Sequence, residues 1–332
     1  MSWSPLVTVI IPNYNHALYL PSRIESVINQ SFKNIEIIIL DDYSKDDSRA
    51  VIDKYAAQDS RIITVYNEHN SGSTFKQWNK GFALAKGKYI WIAESDDSAE
   101  LNFLEILLPR LSDDGVVLAY SDSFDINENN TVKGTIAWYL IELDKMWSKD
   151  FVTDGIPLIR KFMPYRNFIP NASAALFSVE TVRAMGLADE SYRLYGDMIF
   201  WAQIISKGKI AYVAQPLNYW RTHQNNVRTK TALDGSKLEE SSRVLEAIRL
   251  YGMPDSEYRD KNLNQLLNLW YETWSYQNMS WSQHKKVFNN ISSVEPDLIH
   301  KLFKVMTRKF FYKASGFRIL IGQKFLYRFI KK

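Results

Sequence analysis

Short apolar runs alternate with helically spaced segments through the first 120 residues of the chain. Leu6–Ile11, Ile35–Leu40, Arg61–Tyr66, Lys88–Ala93 and Val116–Tyr120 read as strands. Three of them are almost continuously apolar, the pattern of strands covered on both faces. Between them, Leu18–Gln30, Lys45–Ala57 and Phe75–Ala85 repeat their apolar positions at helical spacing. This alternation predicts an α/β fold: a mainly parallel central sheet flanked by helices, with right-handed crossovers. Ligands bind such sheets at the carboxyl ends of the strands, so the loops leaving the strands are where chemistry is to be sought.

Residues 121–170 are aromatic and irregular and break the alternation. A second αβ stretch follows, with strands at Ala172–Phe177 and Ile210–Val213 and helices at Val179–Met185 and Asp197–Ser206. From about Leu233 the pattern turns helical, and Leu263, Leu266, Leu267, Trp270 and Trp274 share one face. The breaks suggest two regions: 1–228, with halves 1–120 and 121–228, and a helical region 229–332.

Cysteine is absent, which excludes disulfides and thiolate metal sites and fits a reducing compartment. The first apolar run is only strand length and has no basic residues before it, so no leader is expected. No stretch approaches the roughly 18 apolar residues of a spanning helix; a cytoplasmic protein is expected. The net charge of +4 is unevenly spread: Lys301–Lys332 holds ten Lys and Arg and no acid, leaving 31 basic against 37 acidic residues elsewhere. An acidic body argues against a nucleic-acid partner. In the tail, Phe303, Phe310, Ala314, Phe317 and Ile321 fall on one helical face amid basic residues. Such a face suits the anionic inner surface of the cell membrane or packs on the preceding region of the chain, and both readings stay open.

Four successive strand ends carry polar clusters: Pro12-Asn13-Tyr14-Asn15, Asp41-Asp42-Tyr43-Ser44, Asn67 to Ser73, and Glu94-Ser95-Asp96-Asp97. Each alone is an ordinary cap or turn; together, in the expected sheet, they converge on one cleft. Carboxylates crowded on the last turn repel one another, and Mg2+ or Mn2+, with its preference for oxygen ligands, relieves that repulsion. Neither a phosphate-binding P-loop nor a GxGxxG turn accompanies them.

At these residues the chain resembles family 2 glycosyltransferases of the GT-A fold, through VTVIIPNYN at Val7–Asn15, LDDYSKDDS at Leu40–Ser48 and the stretch Asn70–Asp97. With later pieces the resemblance covers roughly residues 5–225. It implies that Pro12, Tyr14 and Asn15 hold the nucleobase and ribose, with Asp41 or Asp42 accepting from the base. Asn70, Gly72 and Asn79 are implied beside the nucleotide, with Ser95 in the same site. The family's Asp-x-Asp reads Glu94-Ser95-Asp96 here, which implies Asp96 as ligand of Mn2+ or Mg2+, Asp97 as a substitute ligand, and Glu94 as a partner through ribose or water. Asp197 stands where the family has its general base, although Gly196 replaces the usual Glu. Tyr219-Trp220-Arg221-Thr222-His223 resembles the loop that closes over the diphosphate, implying roles for Arg221 and His223. The implied activity is inverting transfer from a nucleotide-sugar, commonly a UDP-sugar, to a glycan or lipid-linked glycan hydroxyl. A catalytically silent nucleotide-sugar or glycan-binding protein is the alternative. Asn171-Ala172-Ser173 matches a glycosylation sequon that a cytoplasmic protein does not use.

Overall fold

The computed structural model describes residues 4–222, 235–276 and 279–314. Strand β1 (Val7–Asn13) pairs in parallel with β2 (Ile35–Asp41), and β2 with β3 (Ile62–Tyr66). On its other side β1 pairs in parallel with β4 (Tyr89–Ile92). Every residue of β1, β2 and β4 is buried, and alternate side chains feed two separate cores. Val9, Ile11, Ile37 and Ile39 face helices α1 (Leu20–Ile28) and α2 (Ser48–Ala56). Ile10, Ile38, Ile90 and Ile92 face α3 (Thr74–Leu84). An uninterrupted apolar strand is therefore what a sheet with helices on both faces requires.

Beyond β4 the sheet departs from the parallel expectation. After β5 (Ser98–Ala99) and α4 (Phe103–Arg110), strand β6 spans Val116–Asn127, well past Tyr120. The stretch 121–170, read as irregular, contains β7 (Val132–Thr135), α5 (Ala137–Ile141), β8 (Phe151–Asp154) and α6 (Gly155–Phe162). Strand β9 (Ala175–Ser178) then runs antiparallel between β4 and β6, making the sheet mixed. Three apolar residues ending on a serine signal a short buried strand but carry no information on its direction.

Helices α7 (Val179–Met185) and α8 (Gly196–Ile205) pack with α3 on one face. Strand β10 extends from Lys209 to Thr222, and its polar second half pairs in parallel with β6 as far as Thr222 and Asn127. The strand order is β3-β2-β1-β4-β9-β6-β10-β5, with β7 on β6 and β8 on β10.

The helical region comprises α9 (Ser236–Ile248), α10 (Ser256–Tyr276), α11 (Trp281–Ser292) and α12 (Leu298–Ala314). Leu263, Leu266, Leu267 and Trp270 lie in its core, as their spacing predicts; the side chain of Trp274 lies outside the described residues. Helix α9 also buttresses the sheet domain. The Glu240 carboxylate accepts from the backbone N–H groups of Arg193, Leu194 and Tyr195 at 2.9, 2.8 and 3.2 Å, immediately ahead of α8. On α12, Phe303 is exposed; the side chains of Phe310 and Ala314, and residues Phe317 and Ile321, lie outside the described residues. Among the described residues no helix is long and apolar enough to cross a membrane.

Candidate active site

The register of β1 on β2 sets Asn13 beside Asp41, so the turns leaving these strands interlock. Asn13 Nδ2 donates to Asp41 Oδ1 at 3.0 Å and to Ser44 Oγ at 3.2 Å. Asn15, in the left-handed region at φ 56°, donates its N–H to Ser44 Oγ and accepts from Lys45 N at 2.7 Å. Pro12 is buried in β1, whereas Tyr14 and Asn15 reach solvent.

Both carboxylates of the second turn are engaged by the protein. Asp41 accepts from Asn13, from Ser44 N at 3.1 Å and from Arg49 Nε at 3.4 Å. Asp42 accepts from Asn67 Nδ2, Ser71 N, Ser71 Oγ and Gln77 Nε2, at 2.6, 2.8, 2.8 and 3.0 Å. Asn70 donates to the Asp42 carbonyl and accepts from Gly72 N. Gly72 has φ +70°, and a side chain there would meet nothing within 4 Å, so backbone conformation alone demands glycine. Asn79 is directed elsewhere. Its amide donates to Ala188 O and Glu190 Oε1 and accepts from Ala188 N, pinning the loop ahead of α8.

The turn after β4 is wired differently. Asp97 is buried, accepts from Arg221 N and Asn171 Nδ2, both at 2.9 Å, and faces Arg23 Nη2 at 4.0 Å. Burial and the Asp96 charge push its carboxyl up to about 6 against the pull of Arg23. Glu94 accepts from Trp78 Nε1 at 2.9 Å, and burial, reinforced by Asp96, pushes it up to about 8. Ser95 Oγ meets His16 Nδ1 at 2.8 Å. Asp96 keeps part of its surface exposed.

Asp197 opens α8, its Oδ1 accepting from Met198 N at 2.8 Å and its Oδ2 from Asn167 Nδ2 at 3.1 Å. Gly196 has a packing cause: a Cβ there would lie 2.5 Å from the Phe75 ring. No side chain fits between α3 and α8 at that point. One strap, residues 167–173, touches both acidic sites. Asn167 holds Asp197, Asn171 holds Asp97, and Ser173 Oγ accepts from Glu94 N at 3.0 Å. Four residues of chain span at most about 14 Å, so the amides that hold Asp97 and Asp197 are close neighbours. Trp78, which donates to Glu94, packs on Phe200 and Trp201 of α8 and links the turn to that helix.

Arg221 is a strand residue and 1% exposed. Its Nε donates to Asp96 O at 2.6 Å, its Nη1 to Asn127 O at 3.0 Å, and its guanidinium lies 4.8 Å from the Tyr19 ring centroid. It braces the turn from beneath, where a mobile loop residue was expected. His223 lies outside the described residues. Nothing in the residue pattern singles out Asn167 or His16, and Asn171 and Ser173 read only as the ends of a sequon. Arg23 did carry a signal, a cation on the helical face formed by Leu20, Ile24 and Val27.

The profile of glycosyl transferase family 2 matches residues 8–167. The Escherichia coli UDP-Glc:alpha-D-GlcNAc-diphosphoundecaprenol beta-1,3-glucosyltransferase WfaP is 30% identical over 246 residues, 73% of this chain and 86% of that protein. The chain belongs to glycosyl transferase family 2. Two further family relatives are GlyG of Streptococcus pneumoniae, 36% identical over 129 residues, and TuaG of Bacillus subtilis, 40% identical over 104 residues. These matches cover 38% and 31% of this chain, and the chain spans about two fifths of the length of either relative, 42% and 41%. Among solved structures, S. aureus TarS 1–349 in complex with UDP-GlcNAc aligns with a TM-score of 0.64 at 13% identity, over 94% of this chain and 91% of that one. The Pyrobaculum calidifontis mannosyltransferase PcManGT, in complex with GDP-Man and Mn2+, gives 0.55 at 11% identity over 97% and 89%. At such identities the likeness speaks for the fold, and the family 2 chain has the GT-A fold.

Proposed function

We propose that this family 2 glycosyltransferase moves a sugar from a UDP-sugar to a hydroxyl of a glycan or lipid-linked glycan acceptor, with inversion, in surface polysaccharide biosynthesis. The observation that carries the proposal is the strap tying Asp197 and the 94–97 turn to donors four residues apart. The donor and acceptor named for WfaP, and the UDP-GlcNAc bound to TarS, support the substrate classes.

In the proposed reaction Asp197 takes the proton of the acceptor hydroxyl, the hydroxyl oxygen attacks the anomeric carbon, and the bond to the diphosphate breaks. A single base and in-line attack invert the centre. Asn167 orients Asp197 through Oδ2. Tyr14, Asn15 and the 41–44 turn line the nucleoside end; the Asp42 carboxylate and Asn79 serve as struts, because protein donors and acceptors already occupy them.

Asp96 fits a divalent cation as a partly exposed carboxylate oxygen donor, whereas Asp97 is turned inward to Arg221 and Asn171. Among the described residues no group of three or more His, Cys, Asp or Glu is placed to hold a metal alone. The remaining ligands of Mn2+ or Mg2+ would come from diphosphate and water. When bound, the ion offsets the charge growing on the leaving diphosphate.

Two variants test the assignment. Asp197→Asn is expected to bind donor within about twofold of wild type while kcat falls about 10²–10⁴-fold; full turnover in the variant removes Asp197 from the reaction. Asp96→Ala is expected to lose Mn2+-dependent donor binding in calorimetry, and unchanged binding refutes the ligand role. A wild-type protein that binds donor but transfers sugar neither to acceptor nor to water would be the silent binder instead.

Peripheral attachment to the inner membrane face belongs to the same proposal. Its support is Ile299 and Phe303, 70% and 65% exposed on α12, with Lys304 and Arg308 also exposed nearby. Equal co-sedimentation with anionic vesicles by full-length chain and a chain ending at Val305 would refute attachment through the tail.

A further inference from the structure

The side chain of Arg23 is fully buried in α1, beneath the turn after β4. Its Nε donates to Glu94 O at 2.9 Å, its Nη2 faces Asp97 Oδ2 at 4.0 Å, and its guanidinium lies 5.6 Å from the Trp91 ring centroid. Among the described residues neither Nη1 nor Nη2 has a hydrogen-bond partner. A buried cation with two unmet terminal nitrogens is costly if hydrogen bonding is its purpose. Its charge explains it better. Burial lowers Arg23 to about 10, leaving it a cation at neutral pH, and Asp97, Asp96 and Glu94 are the charges that hold it up. With Arg221, also buried and donating to Asp96 O, two guanidinium groups lie against the turn that carries Glu94, Asp96 and Asp97.

We propose that Arg23 is a positioning residue, a resident counter-ion that holds the carboxylate turn in its working shape before any divalent cation arrives. The inference rests on the turn being the donor and cation site. Its consequence is an ordered requirement: the turn is already compensated, so a divalent cation has little reason to bind until a diphosphate adds negative charge and ligands. Removing Arg23 takes away the cation nearest Asp97 and leaves the acidic turn undercompensated, and a divalent cation is then drawn in without donor.

The test is thermal unfolding of the full chain with Mn2+ alone, UDP alone, and both together. Wild type is expected to shift by less than about 1 °C with Mn2+ alone, and by about 2–4 °C or more with Mn2+ and UDP together. Arg23→Met is expected to be less stable and to gain about 2–4 °C from Mn2+ without UDP, while Arg23→Lys, which keeps the charge, shows no such gain. A merely structural arginine predicts equal losses in both variants and rescue in neither, which overturns the inference. A large donor-free Mn2+ shift in wild type overturns it too, and decides the matter even if Arg23→Met fails to fold. Absence of any shift with Mn2+ and UDP together points instead to failure of the donor-site reading.

Discussion

The turn after β2 and the turn after β4 each place adjacent aspartates at a strand end, and they satisfy them in opposite ways. Asp42 accepts from four donors, three of them side chains that are neutral amides or a hydroxyl and one a backbone N–H. Asp97 has two amide donors and leans on Arg23 for charge. A carboxylate wrapped in neutral donors has its lone pairs filled and serves as a knot, here fastening residues 67–77 to β2. A carboxyl group buried beside other carboxylates stays loaded in another sense, holding its proton more tightly: burial and Asp96 raise Glu94 to about 8 and Asp97 to about 6 against the pull of Arg23. Sequence makes the two turns look alike. Their partners separate an architectural knot from the turn proposed to receive charged ligands.

Removing a carboxylate from each turn tests that division, and Asp97→Ala is the largest expected effect on stability. It strands Arg23 without its nearest counter-ion and leaves the buried N–H of Arg221 unpaired. Breaking a buried ion pair from one side costs about 3–5 kcal/mol, to be read as a fall in urea midpoint. Asp96→Ala should stay within about 0.5 kcal/mol of wild type, since Asp96 is partly exposed. Equal losses in the two variants would dissolve the distinction between inward and outward aspartates of the turn.

Asp42→Ala comes next. It leaves the Ser71 N–H and the amides of Asn67 and Gln77 without this acceptor, at a cost of about 2–3 kcal/mol. Faster amide hydrogen exchange at Ser71 should accompany the loss, because the knot is what closes that loop. Unchanged exchange at Ser71 would mean that Asn70, through its bond to the Asp42 carbonyl, holds the loop unaided.

Apolar continuity and helical spacing made β1 to β4 and α1 to α3 legible, because strands covered twice and amphipathic helices write their burial into residue order. The strand-end clusters were legible for the same reason: a parallel sheet sends its carboxyl ends to one edge. The second half was not. Strand β10 continues through the polar residues Gln215, Asn218 and Arg221 because β6 pairs with it, not because its own pattern is strand-like. Consequently Arg221, expected in a loop over the diphosphate, is a buried brace. The partners of Asp97 and Asp197 are Asn171 and Asn167, 74 and 30 residues away along the chain. No local periodicity encodes such pairings. Gly196 shows a subtler limit, since the departure from the family pattern is explained only by the Phe75 ring across the helix interface.

Asp122 on β6 gives the smallest expected effect and is a third buried carboxyl group to set against the two turns. It is 2% exposed and accepts from Ser123 N at 2.8 Å, without a guanidinium among the causes of its shift. Burial pushes it from 3.8 up to about 6, while hydrogen bonds from Ser123, Thr135 and the neighbouring backbone pull it down. The folded state therefore binds this proton more tightly than the unfolded chain. Its contribution is fully present below the unfolded value of 3.8 and is lost as pH rises through about 6. Asp122→Asn cannot ionise, so relative to wild type it should gain about 1–2 kcal/mol between pH ~4.5 and pH ~7.5. The hydrogen bonds lost to the amide cost the same at both pH values and cancel from the difference. A flat difference across that range in paired urea titrations would mean that donors from Thr135 to Ala137 stabilise the charged form fully. Asp122 would then belong with Asp42 as a knot, and burial alone would not be enough to load a carboxylate in this sheet.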